Sequence, residues 1–294
     1  VAVLTALSRA LRTDDGRVLG LLEVGGGPDL VLLEAGLGAG AASWGAVLDA
    51  LGDAGRADAP HGPGTGLRVL AHDRAGIGRS GAATGPRDLA ALADDLLEIV
   101  AAIPHERLVL AGHSWGGPIA RTAAARLLAA GERVDGLVLV DPAEELADLY
   151  FTPAARAMEA VQETLLPLLA RARLLGPLQR PLARPLPERW REEAVAAIAT
   201  PAAARAVREE SRHVTRGLLG LRLDPPAPLG IPVAVITGRR PEGLGRRLRD
   251  QLTAAHRARA DREGGSLVLA ERSGHLIPLT EPGLVAREVL RLLS

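Results

Sequence analysis

The chain has 294 residues, 47% of them hydrophobic, a formal net charge of zero and no cysteine. That length suits one α/β domain with an inserted element, or two small domains, and the lack of cysteine excludes disulfide frameworks and thiolate metal sites. Balanced charge gives no general attraction to nucleic acid or to an anionic membrane surface. All 35 residues counted as lysine plus arginine are arginine, which, with the abundant alanine and glycine, points to a GC-rich coding sequence. Aromatic residues make up only 2%, so the core must be built from Leu, Val, Ala and Ile. No apolar run reaches transmembrane length. The first eleven residues lack the long apolar centre and small-residue cleavage site of a secretory leader. A cytoplasmic protein with a small-molecule substrate is expected, with no nucleic-acid or membrane partner; the oligomeric state is not encoded legibly.

In chain order, Leu7 to Arg12 and Val18 to Val24 read as strands joined by the turn Thr13-Asp14-Asp15-Gly16. Leu30 to Leu33 is a third strand, apolar enough to be buried on both faces. It runs into Glu34-Ala35-Gly36-Leu37-Gly38, and a short helix is predicted from Ser43 to Leu51. Residues 52–66 read as loop. Leu67 to Ala71 is the next strand and leads into Asp73-Arg74-Ala75-Gly76-Ile77-Gly78-Arg79-Ser80. From Pro86 to Ile103, Leu89, Leu92, Ala93, Leu96 and Val100 recur at helical spacing.

The stretch from Arg107 to Gly131 carries the chemistry. A short apolar strand enters Gly112-His113-Ser114-Trp115-Gly116, and a helix follows, with Pro118 in its first turn and Gly131 past its end. G-x-S-x-G between a strand and a helix is a nucleophile elbow: the serine sits in a sharp, strained turn, and the flanking glycines let strand and helix approach. Its hydroxyl stands at a helix N-terminus, where free N–H groups favour developing negative charge. Val134 to Val140 is a further strand, ending at Asp141-Pro142. From Ala143 to about Gly230 strand character vanishes, and helices open at Thr152-Pro153, Pro187 and Thr200-Pro201. Strands return at Ile231 to Thr237 and Leu267 to Ala270; the latter is followed by Ser273-Gly274-His275 and an amphipathic helix from about Glu281 to Leu293. Alternating strands and helices imply a parallel sheet with right-handed crossovers.

The stretches at 34–38, 73–80, 112–117 and 273–275 resemble, in order and spacing, the α/β-hydrolase superfamily over essentially the whole chain. The resemblance implies a mostly parallel central sheet flanked by helices, with a helical cap inserted after the sixth strand. Residues 1–142 and 230–294 would form the core, and 143–229 the cap. Ser114 would be the nucleophile, His275 its base, and the backbone N–H groups of Leu37 and Trp115 the oxyanion hole. The third member, a carboxylate, departs from the common pattern. Its usual place follows Thr237-Gly238, where this chain has Arg239-Arg240-Pro241-Glu242. Certain haloalkane dehalogenases carry the acid at the end of the preceding strand, where Asp141 stands. A carboxylate ending an apolar strand is costly without a partner. Asp141 is therefore the leading candidate, with Glu242, Glu144 and Glu145 as alternatives.

Glu34 at a buried strand end and Arg74 beside it are expected to pair and support the oxyanion loop. His113 reads as structural, pointing away from the serine. His213 is a candidate for reaching the pocket. Tyr150, Phe151, Met158, Leu165 and Leu166 suit either an acyl pocket or core packing, and the arginines of 171–191 suit a solvated basic face. The implied activity is that of a serine hydrolase acting on a small or medium ester, lactone or amide through an acyl-enzyme. The same fold also serves lyases, cyclases, perhydrolases, cofactor-free oxygenases and ligand-binding proteins, and fold resemblance alone does not choose among them. No metal and no organic cofactor is implied: the seven histidines show no ligand spacing, and no phosphate-binding glycine motif occurs.

Overall fold

A computed structural model describes residues 6–54, 66–83, 85–241 and 245–294. Among these residues, eight strands form one sheet: β1 (Leu7–Arg12), β2 (Val18–Gly25), β3 (Asp29–Glu34), β4 (Leu67–His72), β5 (Arg107–His113), β6 (Gly136–Val140), β7 (Val233–Gly238) and β8 (Ser266–Ala270). Their spatial order is β1-β2-β4-β3-β5-β6-β7-β8. β1 and β2 form an antiparallel hairpin, closed by a turn in which Gly16 takes φ +83°. β2 also runs antiparallel to β4, and the remaining pairings are parallel. Most of the loop read at 52–66 lies outside the described residues.

The helices are α1 (Gly45–Ala54), α2 (Leu89–Ala102), α3 (Gly116–Ala129), α4 (Pro153–Arg171), α5 (Leu175–Gln179), α6 (Glu188–Ile198), α7 (Pro201–Leu223), α8 (Gly245–Glu263), α9 (Ile277–Thr280) and α10 (Pro282–Leu293). The inner strands, β3 to β7, are buried on both faces, which explains their uninterrupted apolar runs, while the edge strand β1 is largely exposed. The pleat sorts their residues. Val31, Val109 and Val138 face α1 and α10, packing with Leu48, Leu51, Val285 and Val289. Leu30, Leu108 and Leu137 face the other way, against Leu92, Leu96, Ile119 and Ala123 of α2 and α3. Aromatic rings are few, but Trp44 and Trp115 are fully buried within these two clusters.

Helices α4 to α7 occupy the insertion between β6 and β7. The Thr-Pro pairs start two of them by one mechanism. The Thr152 hydroxyl accepts from Ala155 N–H and that of Thr200 from Ala203 N–H, while proline fills the first turn, where no donor is needed. The chain passes from β3 to β4 on one side of the sheet and returns to β5 on the other, so the strand order reverses between β3 and β5. Loops diverge at such a point and leave a crevice at the strand C-terminal ends. Register places Glu34 of β3 opposite Gly112 of β5. The two loops singled out in the sequence therefore meet at that crevice.

A buried ionic cluster ties α8 to the segment after β6. Arg259 Nε donates to Glu144 Oε2 at 3.0 Å and its Nη1 to Glu263 Oε1 at 3.1 Å, and the guanidinium also reaches Glu145, which Arg121 holds at 2.6 Å. Removing one partner of such a cluster strands the others in a dry site. Arg259→Met is expected to lower unfolding stability by about 3–5 kcal/mol in urea melts; a loss under about 1 kcal/mol would show that the carboxylates find other partners.

Candidate active site

Ser114 sits between β5 and α3 at φ +54°, a left-handed conformation rarely adopted by a residue with a side chain. The glycines around it are sterically required. A Cβ on Gly112 would lie 2.2 Å from the Gly116 carbonyl oxygen, and one on Gly116 would lie 2.4 Å from that of Glu34. The turn is held by Ser114 N–H donating to Val140 O at 3.0 Å, and by Ala143 and Gly117 N–H groups donating to Ser114 O.

His275 Nε2 lies 3.0 Å from Ser114 Oγ, and His275 Nδ1 lies 2.7 Å from Asp141 Oδ2. A carboxylate only accepts, so Nδ1 carries the proton and Nε2 is left to accept from the serine hydroxyl. Asp141 is fully buried and itself left-handed, at φ +41°. Its other oxygen, Oδ1, accepts from Gly238 N–H at 3.0 Å and from Arg249 Nη1 at 2.7 Å. Burial opposes its ionisation. The hydrogen bond from His275 and the nearby positive charge, including that of Arg249, outweigh burial and hold the carboxyl well below the usual carboxylate range.

Three further groups shape this centre. His256 donates from Nε2 to Pro142 O and accepts at Nδ1 from the Thr237 hydroxyl, both at 2.8 Å; burial depresses its pKa, consistent with this neutral tautomer. His113 turns back beneath His275 rather than away from the site. Its Nε2 donates to the His275 carbonyl at 2.9 Å, and the two rings lie 4.8 Å apart. Burial, and then the charge of His275, pushes the His113 imidazole down to about 3. It therefore remains a neutral donor that fixes the backbone of His275. Ser273 Oγ donates to Glu281 Oε2 at 2.6 Å, anchoring the other end of that loop.

Among the described residues, the backbone N–H groups of Leu37 and Trp115 donate to no protein acceptor. Arg74 Nη1 donates to Glu34 Oε1 at 2.5 Å and to the Ala35 carbonyl at 2.6 Å, and its Nη2 to the Gly36 carbonyl at 2.7 Å. Burial opposes ionisation of Glu34, but the charges of His72 and Arg74 lower its pKa. Glu210 of α7, not anticipated from the sequence, completes the cluster by accepting from Arg74 Nε at 3.0 Å.

A cavity of about 290 Å³ opens onto Ser114 and His275, between the 36–40 loop and helices α4 to α7. Leu37, Leu166, Leu175, Leu182, Val195 and Val207 supply much of its wall. Of the five apolar residues considered in the sequence, only Leu166 lines it. Tyr150 packs toward Leu252 and Ala255, the Arg222 guanidinium lies 4.3 Å over the Phe151 ring, and Met158 and Leu165 are exposed. His213 stays outside, 3.6 Å from Glu209 on its own helix. Among the described residues, no arginine lines the cavity; Arg180 and Arg189 pair with Glu192 and Asp49. Among the described residues, no group of three or more His, Asp or Glu could hold a metal.

Residues 30–288 match the alpha/beta hydrolase family. The chain belongs to this family. A protein named "Putative carbamate hydrolase RutD" from Azorhizobium caulinodans is 37% identical over 119 residues, 40% of this chain and 39% of that protein. A protein of the same name from Agrobacterium fabrum is 34% identical over 112 residues, 38% of this chain and 37% of that protein. The matched stretch thus spans under two fifths of the length of these curated relatives. Among solved structures, Cfl2 from Burkholderia cenocepacia has a TM-score of 0.71 at 22% identity, covering 98% of this chain and 95% of that one. The esterase EaEST from Exiguobacterium antarcticum has a TM-score of 0.65 at 18% identity, covering 98% and 100%. These likenesses show the fold.

In this alpha/beta hydrolase, Asp141 is the carboxylate that meets the histidine. Glu144 and Glu145 turn to Arg259 and Arg121 instead. Glu242 lies outside the described residues. Arg249 went unnoticed, as one arginine among many; His113 is structural, as read from the sequence, with its ring beside that of His275. The folded pKa of Asp141 lies below its unfolded value, so its contribution to stability is complete above roughly pH 5 and is lost as pH falls. The urea midpoint of the wild type is expected to fall more steeply between about pH 5 and pH 3 than that of Asp141→Asn. Parallel profiles would mean that Asp141 titrates normally.

Proposed function

We propose that the protein is a serine hydrolase that cleaves a small-to-medium uncharged ester, lactone, amide or carbamate through an acyl-enzyme. The observation that carries this reading is the unbroken chain from Ser114 Oγ through His275 to Asp141, at 3.0 and 2.7 Å. Such spacing allows the imidazole to take the serine proton as Oγ attacks a carbonyl carbon. The carbonyl π electrons move onto oxygen, which accepts from the N–H groups of Leu37 and Trp115. The tetrahedral intermediate collapses, the imidazolium protonates the leaving alkoxide or amine, and an acylated Ser114 remains. Water, deprotonated by the same imidazole, then releases the acid and restores the serine. Asp141 keeps Nδ1 protonated and stabilises the imidazolium.

The apolar wall, free of charged arginine, favours a neutral acyl group over an anionic one. Helices α4 to α7 act as a cap that excludes water from the intermediate. The carbamate in the name borne by the relatives fits the same scheme, since a carbamate carbonyl undergoes the same addition and elimination.

Fluorophosphonate labelling is expected to modify the wild type at Ser114 and to fail with Ser114→Ala. Asp141→Asn should lower kcat by roughly 10²–10⁴-fold on activated esters, because the imidazole loses its orienting acceptor. Rates across an acyl series should rise and then collapse once the chain outgrows the cavity. Folded wild-type protein that neither labels nor turns over any activated ester or carbamate would overturn the reading.

A further inference from the structure

Building on that hydrolase reading, we infer that Glu210 on α7 is a positioning residue for the oxyanion hole, acting through Arg74 on the peptide that carries the Leu37 N–H. The peptide group is planar and trans, so the Gly36 carbonyl and the Leu37 N–H point in opposite directions from one rigid unit. Fixing the oxygen fixes the aim of the hydrogen. Arg74 Nη2 holds that oxygen at 2.7 Å, and Nη1 holds the preceding carbonyl, of Ala35, at 2.6 Å. A guanidinium on the carbonyl also polarises the peptide and makes its N–H a stronger donor.

Arg74 is set in turn by two carboxylates on different parts of the fold. Glu34, at the end of β3, accepts from Nη1 at 2.5 Å, and Glu210 receives Nε at 3.1 Å on Oε1 and 3.0 Å on Oε2. Arg74 and Glu210 are 1% and 0% exposed, so neither pairs in competition with water. With Glu34 alone, the planar fork could pivot about a single carboxylate. Glu210 closes the second side and fixes the plane from which Nη2 reaches Gly36.

Helix α7 also packs against both residues that carry the donors, by separate contacts. Val207 packs against Leu37, and a Cβ on Gly38 would lie 3.5 Å from its Cγ1. A Cβ on Gly217 would lie 2.9 Å from the Trp115 ring. Glu210 lies between these positions along the helix and is its fully buried carboxylate. The Gly36 carbonyl also accepts from Ala39 N–H at 3.2 Å, so α7 refines the aim of the hole rather than creating it.

The test compares wild type, Glu210→Gln and Glu210→Asp in the full chain, with Arg107→Met, which breaks the pair with Asp29 at the N-terminal ends of β5 and β3, as a variant destabilised away from the site. Each is assayed for kcat and KM on an activated ester. Each is also titrated with a trifluoromethyl ketone, whose hemiketal oxyanion occupies the hole, and with the matching methyl ketone. Glu210→Gln is expected to lose roughly 10- to 100-fold in kcat, a part of what deleting one oxyanion donor typically costs, with KM little changed. Trifluoromethyl ketone affinity should fall in parallel while methyl ketone affinity holds. Glu210→Asp, which keeps the charge but shortens its reach, should fall between, and it carries the comparison if the Gln variant does not fold. Arg107→Met should lose stability but keep the wild-type ratio of ketone affinities. Glu210 variants that lose only thermal stability, with kcat and ketone ratio at wild-type values, would overturn the inference. Failure of wild-type Ser114 to react with fluorophosphonate would instead overturn the hydrolase reading.

Discussion

A carboxylate that is fully buried at the end of a β-strand must be compensated, and the partners of Asp141 come from much of the fold. The neighbouring strand β7 supplies the Gly238 N–H, α8 supplies Arg249, and the loop after β8 supplies His275. Each lies at or beyond the C-terminal side of the sheet. The interaction therefore demands that β6, β7 and β8 be parallel neighbours and that α8 lie close enough to project a guanidinium under them. It also explains why the ionic cluster around Arg259 sits next door: α8 must be fixed along its length if Arg249 is to stay in place.

Two side-chain-bearing residues in this centre are left-handed, Ser114 at φ +54° and Asp141 at φ +41°. They follow adjacent strands, whose last paired residues are His113 and Val140. Such conformations persist only where the surroundings over-determine them. Here the Ser114 N–H donates back to the Val140 carbonyl, and the Asp141 N–H to Ile236. Each strand end thus folds over its neighbour, turning both side chains toward the same imidazole. The strain is local, while the hydrogen bonds that maintain it belong to the sheet.

Much of this was legible in the sequence because the signals were local. Thr-Pro helix starts, glycine spacing at the elbow and uninterrupted apolar strands each follow from a physical rule that acts within a few residues. The pairing of Glu34 with Arg74 could be expected because each sits at the end of a strand in neighbouring positions. What escaped depends on tertiary direction. His113 reads as pointing away from the serine, yet its ring folds under His275. Glu210 left a faint trace: with Val207, Ser211 and Leu218 it marks the buried side of a helix, a place where a lone carboxylate would be costly. Its partner lies 136 residues away in the chain, and no local pattern names it.

The position of Asp141 beside the imidazole follows from the same geometry. β6 and β7 are hydrogen-bonded neighbours, with Val140 opposite Ile236. Neighbouring strands lie about 4.8 Å apart, a distance a short side chain and one loop residue can span. A carboxylate leaving the end of β6 and one leaving the end of β7 can therefore arrive at the same imidazole nitrogen. In this chain the β7 end contributes a backbone donor, Gly238 N–H, to the carboxylate of β6. The two strand ends have divided the task, one holding the charge and the other helping to stabilise it. Beyond β7, α8 supplies the compensating arginine, Arg249.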